Sequence, residues 1–322
     1  MKHSLCCRLL AGAASIALSR SFALSAIAQE TPDEAVSRLD AIVVTAGRRA
    51  QPISDVQASV EVVGEAEIET YSGASVTEVL RQSVGVDART SGANSDIAVR
   101  GQQPSGGAAV LILFDGLPRT GKFGSTNLNN FAVEDVERVE IIRGPMSALY
   151  GADASGGVIN VITKPAGEGA PLSGRATIGS VASSKGDGRE TVNLAATGNF
   201  RTGAVGHRIS ADWRNGGAYR YADTADIDDL SALDHLSLSY AGEVETGPEA
   251  RLRWTAEGYF QDDQADAQTR TGENYTRFER EDRYFAGLGY ERGLAGGTLT
   301  LQGSYGYSDA SVNRSYPSPD ET

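Results

Sequence analysis

Apolar and polar positions alternate with a period of two through most of the second half of the chain. In segments 236–244 and 252–260, apolar residues or glycine occupy every second position, and polar or small residues lie between them. The same alternation recurs in 284–290 and 299–307, with shorter versions in 176–178, 192–196 and 209–213. Because successive side chains of a strand point to opposite faces, the pattern predicts about seven antiparallel strands with one apolar and one polar face.

The connections between these predicted strands alternate in length. Residues 247–249 and 293–297 predict short turns, whereas 215–234 and 263–282 predict external loops of 20 residues each. Alternating short turns and long loops are typical of an outer-membrane β-barrel, and a soluble β-sandwich is the alternative. Aromatic residues near predicted strand ends suit a membrane–water interface: Trp213, Tyr259 and Tyr307.

The first half of the chain has a mixed pattern that predicts an α+β domain. Residues 59–63 alternate as a half-buried strand, and Ser75 with Glu78 forms a capping box ahead of a short amphipathic helix. Residues 110–114 are apolar at every position, which predicts a central strand covered on both faces. The dipeptide Asp115-Gly116 then predicts a tight turn.

Residues 142–164, with the sequence IRGPMSALYGADASGGVINVITK, are predicted to join two strands through about one helical turn. Pro145 lacks the N–H needed to continue the first strand, and Gly151 is a stop for the helical turn at 147–150. Gly156-Gly157 allows the backbone to pass close to another element before the second strand.

The loops of this first half carry no pattern that suits catalysis. Three glycine-rich or polar segments are predicted loops: 89–96, 102–107 and 117–130. None of these loops combines a nucleophile, a base and an orienting residue. The three histidines of the chain are far apart in the sequence, and none has the spacing of a metal-binding motif: His3, His207 and His235. We therefore predict that the protein is not an enzyme.

Residues 1–28 are predicted to be a secretory signal peptide. Lys2 and Arg8 precede an apolar run, and small residues near Ala28 suit cleavage before Gln29. Both cysteines of the chain lie in this leader, at positions 6 and 7, so the exported chain is expected to have no disulfide.

The composition of the exported chain argues against one class of partner. Removal of the leader lowers the net charge from −13 to −16, because its three charged residues are all basic. A protein this acidic is a poor match for the phosphates of a nucleic acid, so we expect no nucleic-acid partner.

Five strings that follow one another along the chain resemble those of the TonB-dependent outer-membrane receptors. They are Ile42-Val43-Val44-Thr45-Ala46, Val99-Arg100-Gly101, Leu111-Ile112-Leu113-Phe114-Asp115-Gly116, Val139-Glu140-Ile141-Ile142-Arg143-Gly144-Pro145, and 142–164. The resemblance implies a plug domain at 51–165, after a signal peptide at 1–28 and a flexible segment at 29–50. It also implies that 166–322 hold the first strands of a barrel of about 22 strands, as in plugged transporters. The chain is then expected to be the N-terminal part of a longer receptor or a truncated product.

The resemblance also assigns roles inside the plug. The motif and plug–barrel anchoring positions are Arg100, Gly101, Asp115, Gly116, Arg143, Gly144, Pro145, Tyr150, Gly151, Gly156 and Gly157. Arg100 and Arg143 are expected to hold the plug through acidic residues of the barrel wall.

The polar segment 29–50 contains one short run with high β-propensity, which suits the addition of a strand to the sheet of a partner. Its residues are Asp40, Ala41, Ile42, Val43, Val44, Thr45 and Ala46. An ordinary edge strand of the plug is the alternative. The resemblance implies that this run is the TonB box, on which TonB of the inner-membrane energy-coupling complex pulls.

The ligand implied by the resemblance is a ferric siderophore, and cobalamin is the alternative. The predicted contacts lie in two loops of the plug: Arg89, Asn94, Ser95, Arg119, Lys122 and Phe123. Arg119 and Lys122 would attract an anionic ferric complex in a narrow, partly desolvated mouth.

No resident cofactor is expected, because the ligand itself carries the Fe³⁺. A weak calcium candidate is an acidic segment whose carboxylates suit a hard cation, although a solvated acidic surface is the favoured explanation. It contains Asp223, Asp226, Asp228, Asp229 and Asp234. The alternative from another functional class is a surface adhesin or channel without energy coupling. The intact run 42–46 argues against this alternative. Either protein would contact the lipid of the outer membrane.

Overall fold

The structure is a computed structural model of the 322-residue chain. It describes residues 43–44, 51–70, 75–91, 94–101, 110–119, 128, 133–181, 189–218, 232–269 and 271–317. The leader, the calcium candidates at 223–229, Lys122 and Phe123 therefore lie outside the described residues. So does most of the predicted TonB box, of which only the backbone of Val43 and Val44 is included.

The described elements divide into a first, mixed part and a second part that is all strand. The first part contains β1 (Val43–Val44), β2 (Gln51–Pro52), β3 (Ser59–Gly64), α1 (Glu65–Thr70), α2 (Val76–Gln82), β4 (Val86–Ser91), β5 (Asn94–Val99), β6 (Val110–Phe114), β7 (Leu117–Pro118), β8 (Val136–Arg143), α3 (Ser147–Tyr150) and β9 (Gly157–Thr163). The second part contains β10 (Leu172–Val181), β11 (Arg189–Thr202), β12 (Val205–Gly216), β13 (Ala232–Gly247), β14 (Ala250–Gln268), β15 (Asn274–Leu294) and β16 (Gly297–Ser315). The predicted α+β domain and the predicted seven strands are both confirmed.

A five-stranded sheet with the order β3-β8-β9-β6-β7 organises the first part. Strands β6 and β9 pair in parallel, whereas β8 pairs antiparallel with both β3 and β9. All five residues of β6 are buried, as their apolar character at every position predicts. One face of the sheet packs with α1 and α2 in a continuous apolar core that includes Ile68, Leu80 and Phe114.

Helix α2 forms where the predicted capping pattern places it, and Val76, Val79 and Leu80 are buried as expected. Its first turn nevertheless lacks the side-chain bonds of a capping box. Ser75 makes no side-chain cap bond, and Glu78 pairs instead with Arg81 one turn later. The pattern thus located the start of the helix, while tertiary burial of its apolar face stabilises it.

The segment after β8 turns as its glycines predict. Gly151 ends α3 with a φ of 89°, which is the left-handed region that glycine adopts without a steric penalty. Gly157 has a φ of 155°, and a Cβ atom there would lie 2.5 Å from the carbonyl oxygen of Ile142. Strand β9 can therefore pair closely with β8 only because this position has no side chain.

The loop predicted at 89–96 is wrong. Strands β4 and β5 form an antiparallel hairpin with a continuous register from Val86↔Val99 to Ser91↔Asn94. The strands leave only residues 92 and 93 between them, so the polar residues on either side belong to paired strands. Arg89, Asn94 and Ser95, three of the predicted ligand contacts, thus lie in the end of a hairpin.

The second part is one antiparallel sheet, here called the wall, with its strands in sequence order from β10 to β16. Two-residue turns at 203–204, 248–249 and 295–296 define its short-turn end. Longer connections at 182–188, 217–231 and 269–273 define its long-connection end. The predicted alternation of short and long connections is confirmed.

One predicted external loop is wrong. Residues 263–282 are not a loop of 20 residues, because β14 and β15 remain paired from Gly258↔Tyr284 to Gln268↔Asn274. The polar side chains of this stretch suggested a loop, but a backbone ladder extends as long as both strands supply donors and acceptors. The hairpin therefore projects well beyond the apolar part of the wall.

The wall has two chemically different faces. The outer face carries exposed apolar side chains such as Ile209, Leu238 and Leu301, which are 52%, 45% and 58% exposed. The inner face turns toward the first part of the chain and carries buried polar side chains. These include Thr197, Arg208, Ser210, Asp212, His235, Ser237, Gln261, Asp263 and Glu281.

The apolar stripes of the outer face are nine residues long in four strands: 192–200, 236–244, 252–260 and 299–307; the corresponding stretch 205–213 is interrupted by His207. Tyr259 is not part of this face, although it was expected at a membrane–water interface. It is 5% exposed on the inner face, where its hydroxyl donates to Gln261 Oε1 at 3.0 Å. Among the described residues, no helix is long and apolar enough to cross a bilayer.

Replacing Gly157 by alanine should destabilise the pairing of β8 and β9. The new Cβ atom would clash with the carbonyl of Ile142, and the left-handed φ adds strain, for a total cost of about 2–4 kcal/mol. Amide hydrogen exchange in 136–143 and 157–163 should become faster by at least tenfold. Gly64→Ala is the matched control, because no atom lies within 4 Å of its added Cβ atom; equal exchange in both variants would contradict the prediction.

Candidate functional site at the contact between the first domain and the wall

The first domain contacts the wall through a short helical turn that immediately precedes β8. This 3-10 turn spans Val133–Asp135. Asp135 Oδ1 accepts a hydrogen bond from the Thr197 hydroxyl at 3.0 Å and lies 3.8 Å from Arg208 Nε. Glu134, its neighbour, forms an ion pair with Arg175. Three successive strands, β10, β11 and β12, thus each supply one partner to this turn.

The groups of this first contact are largely withdrawn from water. Asp135 is 7% exposed, Thr197 4% and Arg208 5%. Arg208 also donates to the main-chain carbonyl of Lys164, at the end of β9. Removing one partner of such a buried set leaves the other charge uncompensated, which typically costs about 3–5 kcal/mol.

A second contact is made by the tight turn that follows β6. Asp115 and Gly116 have φ values of 49° and 80°, as a two-residue hairpin turn requires. The Asp115 carboxylate accepts bonds from the main-chain N–H and the hydroxyl of Thr163, both at 2.9 Å. Asn160 Oδ1 accepts from the Gly116 N–H at 3.1 Å. The side chains of β9 therefore hold the turn, and the predicted turn is confirmed.

This turn is fixed to the wall at two points. The Gln302 side-chain amide donates to the Asp115 carbonyl at 3.0 Å. Leu117 packs against Gly287, where an added Cβ atom would lie 2.8 Å from Leu117 Cδ1. The absence of a side chain on this part of the wall thus makes room for the side chain of the first domain.

Arg119 completes the second contact. Its two terminal nitrogens donate to the two carboxylate oxygens of Glu257 at 2.5 and 2.6 Å. Its guanidinium lies 3.4 Å from the ring centroid of Phe285 and 5.1 Å from that of Phe114. The two charged side chains are 11% and 17% exposed, so water screens this bidentate pair only weakly.

The geometry of Arg119 changes the role that the sequence predicted for it. A loop cation available to an anionic ligand was expected, but its charge is already compensated by Glu257 and covered by an aromatic ring. The physical reason is the register of the wall, in which Glu257 and Phe285 are directly opposite each other in adjacent strands. In the described structure Arg119 is a contact between the domain and the wall.

Arg143 also has a different partner from the expected one. It forms an ion pair with Glu61 of β3, inside the first domain, and not with an acidic residue of the wall. Strands β3 and β8 pair with Ser59 opposite Arg143, which places Glu61 two residues along on the neighbouring strand. Arg100 is exposed, and its main-chain N–H donates to the Gly85 carbonyl at 2.8 Å.

The inner face of the wall carries a polar network toward the long-connection end. His235 Nε2 lies 2.7 Å from Asp263 Oδ1, and Gln261 Nε2 donates to Asp263 Oδ2 at 3.1 Å. Arg283 donates to both carboxylate oxygens of Glu281, at 2.5 and 2.6 Å. The sequence predicts an isolated His235, but the structure pairs it with Asp263. The pairing has no local signal, because Asp263 is 28 residues away in the sequence. The alternating polar positions in 259–263 could have indicated a polar network on one face of the strand. The predicted loop at 263–282, however, includes Asp263.

Toward the short-turn end, the same face encloses a cavity against the first domain. The wall contributes small residues there, including Ser239, Ala241 and Gly289. The first domain contributes Asp115 and Lys164. Arg119 and Glu257 also line this cavity.

The described residues include only part of two further predicted sites, the TonB box and the calcium site. Val43 and Val44 pair antiparallel with Pro52 and Gln51, so the centre of the predicted TonB box forms a two-residue ladder with the start of the domain. Among the described ranges, no group of three or more His, Cys, Asp or Glu side chains is arranged to hold a metal ion. The calcium candidates at 223–229 lie outside those ranges, and Asp234 accepts a hydrogen bond from Trp213 Nε1 at 2.8 Å.

The fold and the contacts together define a plug-like α+β domain held against the polar face of an antiparallel wall. Residues 52–158 match the family model of the TonB-dependent receptor plug domain. This part of the chain is therefore a TonB-dependent receptor plug domain, hereafter the plug, and the predicted resemblance to TonB-dependent outer-membrane receptors is confirmed.

Solved structures share the arrangement of plug and wall. A ferric enterobactin receptor mutant, PfeA from Pseudomonas aeruginosa, matches 84% of the chain at 21% identity with a TM-score of 0.59. FpvA of P. aeruginosa in a pyoverdine–iron complex matches 85% at 14% identity with a TM-score of 0.56. The copper transporter OprC matches 81% at 13% identity with a TM-score of 0.57. At these identities the likeness is one of fold. The chain spans 42%, 45% and 48% of these three chains.

Replacing Asp135 by alanine should loosen the plug from the wall. The change removes the acceptor of Thr197 and leaves the buried Arg208 without its nearby carboxylate, at a cost of about 3–5 kcal/mol. In the purified receptor, the urea concentration at which trypsin gains access to the plug should fall clearly. Asp153→Ala is the control, because Asp153 is exposed in a helical turn of the plug. A midpoint equal to that of the control would show that Asp135 does not hold the plug.

Proposed function

We propose that this chain belongs to an energy-coupled outer-membrane receptor that imports a ferric siderophore. The observation that carries the proposal is a plug domain seated on the polar face of a wall whose opposite face is apolar and exposed. A plug in that position obstructs the space beside the wall, so passage of a ligand requires the plug to move. Such a device suits a ligand that is too scarce and too large for free diffusion.

The dimensions of the apolar stripes support a place in a membrane. Nine residues at about 3.3 Å each, in strands tilted by about 40°, form a band roughly 20–25 Å tall, close to the apolar band of outer-membrane barrels. Lipid contact would cover side chains such as Leu288, which is 54% exposed. The polar extension of β14 and β15 would then stand outside the bilayer, at the surface where a ligand arrives.

An iron complex is the favoured ligand because PfeA is a ferric enterobactin receptor and FpvA was solved with a pyoverdine–iron complex. The third similar protein, OprC, is a copper transporter. The hairpin of β4 and β5, together with Lys122 and Phe123, remains the proposed ligand surface. Binding of radiolabelled ferric siderophores to cells that express the complete receptor tests this proposal. Saturable binding should be competed by excess unlabelled ferric siderophore, but not by cobalamin or copper. If only cobalamin or only copper competed for binding, that compound would be the ligand in place of the ferric siderophore. If none of the three compounds bound, an adhesin would be favoured.

The run 40–46 is proposed to be the TonB box, which passes force from the inner membrane to the plug. Strand addition requires free main-chain N–H groups, and proline has none. Val43→Pro should therefore abolish uptake of the ligand while its binding at the cell surface stays within about twofold of the wild type. Val43→Ala, which keeps the N–H group, is the control and should transport normally. Normal uptake by the proline variant would mean that coupling does not use this strand.

A further inference from the structure

The inner face of the wall changes from filled to hollow along its strands, and one row of residues marks the change. This row consists of Ser210, Ser239, Glu257, Phe285 and Gly306, which are opposite one another in adjacent strands. Arg119 of the plug lies on the row, bound to Glu257 and stacked on Phe285. The plug therefore contacts the wall through a paired and stacked cation at the boundary between two differently packed regions.

On the long-connection side of this row, large polar side chains fill the inner face. Tyr259, Gln261, Asp263, Glu281 and Arg283 form the network described above, and Gln261 is only 2% exposed. Movement of a solute through this region would require many hydrogen bonds to break together.

On the short-turn side, the row borders the cavity, whose wall lining combines small residues such as Ala241 and Gly289 with larger ones such as Arg253. Ala241 of β13 is opposite Thr255 of β14, which is in turn opposite Gly287 of β15. Every wall residue that lines the cavity in β13 to β16 lies on this row or between it and the short turns. The cavity is thus open space already present while the plug is in place.

The charged groups around the cavity have both signs. Lys164, Arg208 and Arg253 contribute cations, and Asp135 and Glu243 contribute carboxylates. Such a lining keeps the space hydrated, because charged groups are costly to desolvate.

From these observations we infer that the cavity is the preformed lower half of the transport passage and that the Arg119–Glu257 ion pair is its gate. While the pair is intact, Arg119, Phe285 and Leu117 close the cavity toward the long-connection end. When the plug is pulled, separation of this one bidentate pair joins the cavity to the space above it. The inference rests on the proposed transport function, but it concerns which part of the wall opens and which contact keeps it shut.

The position of Arg119 in the chain makes this contact a suitable gate. It lies directly after β7, a two-residue strand that pairs only with β6. Because β7 is the edge strand of the plug sheet, Arg119 lies away from the central pairing of β8 and β9. By contrast, Asp135 lies against β8 itself and is held by groups of β11 and β12.

The gate can be tested by ion conductance of the complete receptor in planar lipid bilayers, without ligand or motor. Arg119→Ala and Glu257→Gln should each raise the conductance at least severalfold, because the barrier between the cavity and the space above it is removed. The double variant Arg119→Glu with Glu257→Arg restores an ion pair in the opposite orientation and should return the conductance toward the wild-type value. Conductance at the wild-type level in both single variants would overturn the inference.

A matched control separates gating from general loosening of the plug. Arg175→Ala breaks another Arg–Glu contact between plug and wall, but neither Arg175 nor Glu134 lines the cavity. It should leave the conductance unchanged. If it raised the conductance as much as Arg119→Ala, the pair would be an ordinary anchor and the gate assignment would be wrong. Surface labelling of each variant verifies that it is folded and inserted.

Filling the cavity gives a second, independent test. Gly289 has only the Gln302 side chain near its potential Cβ position, at 3.8 Å, so Gly289→Leu can be accommodated by the cavity itself. In the Arg119→Ala background it should reduce the raised conductance by at least half. Unchanged conductance would place the passage elsewhere on the wall. Because this readout needs no ligand, its failure is distinguishable from a failure to bind or import ferric siderophore, which would instead refute the proposed function.

Discussion

Hydrogen bonds and ion pairs are the main attachments of the plug to the wall, since the inner face of the wall carries most of its buried polar side chains. The outer face takes the apolar side chains, and strict alternation leaves polar ones for the inner face. Each charge that the plug covers there must find a partner, because an unpaired buried charge is costly. Asp135 with Thr197 and Arg208, and Arg119 with Glu257, are the two places where this requirement is met most completely.

A polar attachment differs from an apolar one in how it comes apart. A bidentate ion pair is sensitive to geometry, so a small displacement of Arg119 loses most of its interaction with Glu257. An apolar core, such as the one between the plug sheet and α2, weakens only in proportion to the surface that becomes exposed. The plug therefore combines a coherent apolar interior with an edge that can separate from the wall, which is the mechanical behaviour the proposed transport requires.

The two attachments divide the plug into regions with different constraints. Asp115 is tied to Thr163 and to Gln302, so the tight turn links the central strand β9 to the far side of the wall. Arg119 follows this turn and depends on it for its position. The turn 133–135 precedes the longest strand of the plug sheet and is held by the opposite side of the wall. Among the residues that the structure describes, the plug is thus held at two separated points, between which the cavity lies.

The sequence by itself determined the strands in which apolar and polar residues alternate, and which face of each is apolar, because those properties follow from local periodicity. It also located the central strand 110–114, the turn at Asp115-Gly116 and the helical turn before Gly151, each of which depends on neighbouring residues. Only the tertiary structure decided that Arg119 binds Glu257, 138 residues away, and that polar residues in 263–282 continue a ladder. Strand register sets both, and register depends on backbone pairing between distant segments, for which a polar side chain carries no local signal.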